Sequence, residues 1–228
     1  MNTNAPQDGD GRDLAPIERL GRLYVAVVSD ALDALGYKEQ VMDLHIRPLA
    51  PGMKVAGTAA TMTAVVVDRA PEDPADAYRG ELEAIDSLRP GDVAVVHSGP
   101  GAAVWGQLTS TAARRRGAAG FVGDAYARDV RQVVEMGFPT FVAGIDARDS
   151  NGRLEVTAVG EPIVCGGVSV APGDLVLADD DGVIVIPRAV AERTIAAAEV
   201  KVGREREMDA TLDEGMPLPD AFSTFGVL

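Results

Sequence analysis

The sequence predicts one α/β domain with a mixed sheet, and three observations carry that expectation. Short apolar runs of the buried-strand type, Val93-Ala94-Val95-Val96 and Phe121-Val122, alternate with helical periodicity through the middle of the chain, as in parallel βαβ units. After Asn151-Gly152 the texture changes to short strands and turns, which is hairpin grammar. The hydrophobic share of 46% over 228 residues supplies one sizeable core, and with aromatics at 4% that core must be built from Val, Ala, Leu and Ile.

Taken in order, residues 1–13 are polar, without an apolar anchor, and read as a disordered tail. The domain proper is expected over 14–202, with a C-terminal helical extension and tail over 203–228. Residues 17–35 have helical spacing, with Ser29 and Asp30 expected as an N-cap between two short helices and Gly36 ending the second. Residues 53–67 are β-branched between Pro51-Gly52 and Asp68 and predict one long strand or a pair. Residues 78–88 predict a helix, and Pro90-Gly91-Asp92 turns into a buried strand over 93–97. A glycine-rich loop over 98–106 leads to a helix over 107–116. A strand at Phe121-Val122, a helix over 128–136 and a strand over 139–143 follow. Residues 154–187 end in Leu175-Val176-Leu177-Ala178, an Asp-rich turn, and Val183-Ile184-Val185-Ile186. A last helix is expected over 188–212, then a tail containing Pro217 and Pro219. Pro-Gly-Asp before an apolar strand occurs at 90–92 and again at 172–174, which reads as reused turn chemistry.

Charge narrows the function. With 35 acids against 21 bases, the net charge of −14 repels phosphate backbones and anionic membranes, so neither nucleic acid nor a membrane is expected as a partner. An anionic substrate would need local positive charge from Arg or a metal. The single cysteine, Cys165, excludes an internal disulfide and a Cys-rich zinc site, and reads as a buried small hydrophobe. With no apolar h-region near Met1 and no run approaching the roughly 20 apolar residues of a membrane helix, a cytoplasmic location is expected.

Few residues are placed for chemistry. His45 and His97 are the only histidines; no Gly-x-Ser-x-Gly elbow surrounds Ser98 or Ser110, and His97 at a strand end reads as structural. The segment Gly99-Pro100-Gly101-Ala102-Ala103-Val104-Trp105-Gly106 fits neither the Walker nor the dinucleotide pattern. A strand-to-helix turn of this kind offers free backbone N–H groups to a carboxylate, and it is equally a plain tight turn. Asp179-Asp180-Asp181-Gly182 lacks the spaced ligands of a calcium loop and reads as a hairpin turn. Arg114-Arg115-Arg116 suits a helix C-terminus. The remaining candidate is Gly123-Asp124-Ala125-Tyr126-Ala127-Arg128-Asp129, after a buried strand and opening a helix, where open α/β sheets bind ligands. Arg128 offers a planar fork of donors and Asp129 a hard oxygen ligand. As isolated chemistry the two are either a ligand pair or a helix-capping ion pair.

Over residues 28–187 the sequence resembles the RraA-like family, which includes 4-hydroxy-4-methyl-2-oxoglutarate aldolases. The shared landmarks, in order, include Ser29-Asp30-Ala31-Leu32, Gly57-Thr58-Ala59-Ala60-Thr61, Pro90-Gly91-Asp92, Trp105-Gly106-Gln107-Leu108, Arg128-Asp129, Gly137-Phe138-Pro139, Gly166-Gly167-Val168 and Asp181-Gly182-Val183. The resemblance implies a swivelling β/β/α-type single domain with mixed sheets. It also implies a homo-oligomer, a trimer or a hexamer made of two trimers, with sites between subunits. Carried over from the aldolase branch, backbone N–H groups of Gly106, Gln107, Leu108 and Thr109 bind the carboxylate of a small 2-oxo acid. Arg128 places its 2-oxo oxygen, and Asp129 holds Mg²⁺ or Mn²⁺. The activity implied is a metal-dependent pyruvate aldolase, a carbon–carbon lyase acting on 4-hydroxy-2-oxo acids, with oxaloacetate decarboxylase activity. Both reactions leave a pyruvate enolate whose charge a cation and an Arg stabilise. No Schiff-base lysine is then needed, and Lys38, Lys54 and Lys201 occupy no obvious site.

There are departures from the family pattern. Ala125 stands for its Gly and is expected to tighten the turn, and Tyr126 is expected to narrow the site. Gln107 stands where many aldolases carry an acid. The aldolases' C-terminal Glu has only unaligned candidates in Glu199, Glu205 and Glu207. These departures keep a second reading alongside the lyase: a non-catalytic regulator that binds a protein, like the family's ribonuclease-inhibiting members.

Overall fold

A computed structural model describes residues 13–73 and 76–227. The tail expected over residues 1–13 therefore lies, but for Asp13, outside the described residues. Two short helices come first, α1 (Ala15–Leu20) and α2 (Val25–Ala34). The break between them falls at residues 21–24, and Ser29 and Asp30 lie inside α2, which corrects the expected N-cap. The reason is non-local: the first N–H of α2, on Val25, is capped at 2.9 Å by the carboxylate of Asp179, 154 residues away. Strands β1 (Arg47–Pro48) and β2 (Val55–Val66) follow, then α3 (Arg79–Asp86), β3 (Asp92–Ser98), β4 (Ala103–Trp105), α4 (Gln107–Arg115), β5 (Gly120–Ala127), α5 (Val130–Met136) and β6 (Thr140–Ile145). The long 53–67 run is thus one strand. The glycine-rich loop contains a short strand, β4, that the sequence did not reveal. The second half adds β7 (Leu154–Val159), β8 (Ile163–Cys165), β9 (Val168–Val170), β10 (Leu175–Asp179), β11 (Gly182–Ile186), α6 (Ala191–Asp213) and α7 (Leu218–Phe225).

The main sheet has nine strands in the order β1-β6-β5-β3-β2-β10-β11, with β4 beside β5 and β7 beside β2. Neighbours β2, β3, β5 and β6 run parallel, whereas β10, β11, β7 and β1 pair antiparallel, so the sheet is mixed as expected. Residues 40–48 nearly close it. The Met42 N–H donates to the Val183 carbonyl (2.9 Å) and the Val185 N–H to that of Gln40 (3.0 Å), while Arg47 pairs with Val142 on the opposite edge.

Alternation along the strands then sorts side chains into one inner core and two outer ones. Val93, Val95, Val122, Val176, Val183 and Val185 point inward, with the β8–β9 hairpin's Cys165 and Val168 among them. Ala94, Val96 and Phe121 point outward beneath α3, α4 and α5, whereas Leu175, Leu177, Ile184 and Ile186 point outward beneath α1, α2 and α6. Strands buried on both faces must read as unbroken apolar runs, which is why the sequence displayed them.

The repeated Pro-Gly-Asp is reused turn chemistry: Asp92 accepts the Arg89 N–H and Asp174 the Ala171 N–H, each at 2.8 Å. Helix α6 runs unbroken across position 203. Arg19 forks onto its Glu199 (2.6 and 2.9 Å) and reaches Glu192 (2.6 Å), which fastens α1 to α6. The expected C-terminal tail instead forms α7, because Pro219 sits in a first turn, where its missing N–H costs no hydrogen bond. A satellite cluster of Met208, Ala221 and Val227 holds α7 to α6. Among the described residues no helix is long and apolar enough to cross a membrane.

Candidate active site

Strand β4 lies parallel to the end of β5, with Ala103 opposite Tyr126 and Trp105 opposite Ala127. Trp105 anchors it by stacking on Phe121 with ring centroids 4.3 Å apart, and its carbonyl accepts the Arg128 N–H at 2.9 Å. The chain leaving β4 therefore starts α4 beside residues 128 and 129. Asp129 has left-handed backbone (φ 55°, ψ 35°), uncommon for a residue with a side chain. Its carboxylate accepts the Gln107 N–H of α4 at 3.1 Å. Residue 106 must be glycine for this approach, since a Cβ there would lie 2.7 Å from Asp129 Oδ2. The Gly106 N–H donates to Thr109 Oγ1 (2.9 Å), and that hydroxyl donates back to the Gly106 carbonyl (2.9 Å). With these groups committed, the N–H groups of Leu108 and Thr109 remain at the helix start without intrahelical acceptors.

Arg128 pairs with Asp149 and not with its neighbour Asp129, the Nη2–Oδ1 distance being 3.1 Å. Asp149 also accepts the Tyr78 hydroxyl, a bond that raises the Tyr78 pKa. Tyr78 is left-handed too (φ 65°), and among the described residues it and Asp129 are the two non-glycine residues with positive φ. Both line one cavity of about 70 Å³, together with Gly106, Leu108, Thr109, Arg128, Asp149, Trp105, Ser150 and Glu81. Strained backbone gathers where surrounding structure enforces it, commonly at functional sites. The Trp105 Nε1 donor is buried and has no hydrogen-bond partner among the described residues. Glu81 is half-buried, accepts among the described residues one 3.3 Å hydrogen bond from Ser150, and has its pKa pushed up to about 7, chiefly by burial and then by the Asp149 charge. Tyr78 and Glu81 also line a larger cleft of about 970 Å³, so the small cavity adjoins it.

The structure thus brings Gly106, Leu108, Thr109, Arg128 and Asp129 to one place. Gln107 reaches it through its backbone N–H alone; its side chain is exposed and does not line the cavity. The four N–H groups expected to receive a carboxylate reduce to two, because Gly106 and Gln107 are already bonded. Ala125 is buried within β5 and tightens no turn, and Tyr126 packs against Gly144 of β6 instead of narrowing the cavity. Asp124, the second residue of the Gly123–Asp129 segment, is structural: it accepts the N–H groups of Ser98 and Gly166 (both 3.1 Å) and lies 2.8 Å from His97 Nδ1. Cys165 is fully buried, and its thiol pKa is pushed up to about 12.

Among the described residues no group of three or more His, Cys, Asp or Glu side chains gathers that could hold a metal, and Asp129 offers a divalent ion one carboxylate. That donor set fits a hard cation such as Mg²⁺, which keeps most of its waters and takes one or two carboxylates. The second oxygen of this exposed carboxylate has no partner among the described residues.

The RraA-like family model, described as Aldolase/RraA, matches residues 25–185. The chain belongs to the RraA-like family. Among its relatives is a putative 4-hydroxy-4-methyl-2-oxoglutarate aldolase of Halalkalibacterium halodurans, 30% identical over 83% of this chain and 84% of that protein. Protein DlpA of Legionella pneumophila is 33% identical over 79% of this chain, which spans only 29% of DlpA's length. RraAS2 of Streptomyces coelicolor, an unusual member of the RNase ES inhibitor RraA protein family, superposes with a TM-score of 0.75 at 28% identity, covering 90% of this chain and 100% of that one. The RraA-like family thus spans putative aldolases and ribonuclease inhibitors.

In this RraA-like chain the residues missed from sequence are Tyr78, Glu81, Trp105, Asp149 and Ser150. Asp149 and Ser150 belong to no motif in the sequence, and Glu81 falls inside the helix expected over residues 78–88 as one polar residue of it. Of the C-terminal acids, Glu199 is bound by Arg19, Glu205 by Tyr24 and Lys201, and Glu207 is exposed.

Proposed function

We propose that the protein is a divalent-metal-dependent lyase that cleaves small 4-hydroxy-2-oxo acids to pyruvate and decarboxylates oxaloacetate. The observation that carries this reading is the convergence of Arg128, the left-handed Asp129 and the start of α4 on one cavity. The aldolase-named relative supports the same class of chemistry. No lysine lines the cavity among the described residues: Lys201 pairs with Asp30, and Lys54 donates to the Leu23 carbonyl, so carbonyl activation falls to Arg128.

In this reading the N–H groups of Leu108 and Thr109 take the substrate carboxylate at the positive end of α4. Arg128, steadied by Asp149, donates to the 2-oxo oxygen and strengthens that bond as the oxygen becomes an enolate. Mg²⁺ or Mn²⁺ on Asp129 would supply Lewis-acid stabilisation of the same charge. The subunits are proposed to form a trimer or a hexamer, with sites completed between neighbours.

The test incubates the protein with oxaloacetate and Mg²⁺ or Mn²⁺ and follows pyruvate. Release should vanish with EDTA and fall about 100-fold or more in Arg128→Ala. Wild-type protein no faster than metal alone, on oxaloacetate and on a panel of 4-hydroxy-2-oxo acids, would overturn the lyase. The regulatory reading, favoured by the likeness to RraAS2, would then take its place.

A further inference from the structure

Four carboxylates stand in or beside the small cavity, and three have committed partners. Asp129 holds the Gln107 N–H, and Asp149 holds Arg128 and Tyr78. Asp146, outside the lining, is clamped by Arg148. Glu81 differs. Its one hydrogen bond among the described residues is the 3.3 Å contact from Ser150, at the long end of the range. The local chain is also shaped to deliver it. Tyr78 takes left-handed backbone to start α3, and Gly80 then passes so close to the Val156 carbonyl of β7 that no side chain would fit. These two constraints turn the third residue of the helix, Glu81, into the cavity.

We infer that Glu81 is the proton carrier of the lyase, taking the 4-hydroxyl proton during carbon–carbon cleavage and returning it to C3 of the product. The inference rests on the lyase reading above. The Glu81 carboxylate removes the hydroxyl proton, C4 becomes a carbonyl as the C3–C4 bond breaks, and that electron pair forms the enolate of pyruvate. The Glu81 carboxylic acid then gives its proton to C3, which becomes the methyl group. Protons and electrons balance within one turnover, and no co-reactant is needed. A carboxyl whose pKa is held near 7 by burial exchanges a proton in both directions at neutral pH.

The groups lining the two cavities with Glu81 are Arg79 and Glu83 on its own helix, Asp76 and Tyr78 just before it, Asp149 on the loop after β6, and Arg128 and Asp129 after β5. Across the larger cleft stand Asp68, Arg69 and Glu155. Of these, Asp149 raises the Glu81 pKa, and Arg128 opposes it.

Oxaloacetate separates this role from a structural one. Its loss of CO₂ requires no hydroxyl proton to be removed, and water can protonate the resulting enolate. E81Q should therefore lose about 100-fold or more in 4-hydroxy-2-oxo acid cleavage but less than about tenfold in oxaloacetate decarboxylation. It should also lose protein-catalysed exchange of pyruvate methyl hydrogens in D₂O, followed by NMR, and the limb of the cleavage pH profile near pH 7. Mg²⁺ binding by calorimetry should stay unchanged, since a loss there would make Glu81 a metal ligand and overturn the role. Should E81Q fail to fold, E81D is read in its place and should keep the pH limb with reduced cleavage. E81Q equal to wild type in both reactions, with wild type active, overturns Glu81 and leaves the lyase standing. Wild type inactive on both substrates overturns the two together.

Discussion

At the β10–β11 turn, Asp179 accepts the N–H groups of Val25 (2.9 Å) and Asp181 (3.0 Å), and Asp180 accepts the Gly52 N–H with both oxygens (2.9 and 3.1 Å). At the β5–α5 junction, Asp129 accepts one N–H, from Gln107, and stands on left-handed backbone that costs on the order of 1–3 kcal/mol. One corner has three consecutive acids and commits two of them, Asp179 and Asp180, to backbone N–H groups; the other has a single acid, strained and bonded, among the described residues, through one carboxylate oxygen. The difference teaches that counting carboxylates misleads, whereas counting their committed oxygens separates a turn from a site. The hairpin acids Asp179 and Asp180 cap α2 and staple the 51–52 turn, while Asp129 keeps one oxygen without a partner among the described residues.

The largest effect expected from this contrast is in Asp129→Asn. The amide keeps an oxygen for the Gln107 N–H but loses the charge, so pyruvate release should fall by about 100-fold or more while the melting temperature moves by less than about 4 °C. Asp179→Ala should show the reverse pattern. Losing a helix cap and a turn bond should cost about 1–2 kcal/mol in urea unfolding, with kcat/KM unchanged. If the hairpin variant lost activity and the junction variant lost only stability, the two corners would have exchanged roles and the lyase site would be elsewhere.

How much of this was legible follows from range. Strands such as β3 and β11 were readable because burial on both faces leaves an unbroken apolar run, and Asp181-Gly182 announced its hairpin locally. Arg128 and Asp129 were legible by residue type at a strand-to-helix junction, aided by the family resemblance. Long-range partners were not. The start of α2 is set by Asp179, β4 exists because Trp105 stacks on Phe121, and Asp149 matters because β4 docks beside it through the bond from the Ala103 N–H to the Arg148 carbonyl (3.0 Å). Glu81 carries no local mark at all: its environment is made by burial and by a loop nearly seventy residues on, which no window of sequence contains.

That environment makes the smallest prediction, and it extends the contrast from bonds to protons. Burial lifts the Glu81 pKa from an ordinary 4.5 to about 7, so between those values the folded protein holds a proton that the unfolded chain has released. Protons bound preferentially to the folded state make stability fall as pH rises. The Glu81 contribution is therefore fully present below pH 4.5, declines through the interval and is gone above pH 7. The side-chain amide of the E81Q variant does not titrate in this range. With solvent screening of this half-buried group allowed for, the variant should gain about 1–2 kcal/mol on wild type between pH 4.5 and pH 8, read from urea midpoints at each pH. Parallel stability curves would mean that Glu81 titrates as an ordinary surface acid, and the cavity carboxyl with the longest hydrogen bond would then be no better a proton carrier than the hairpin's acids.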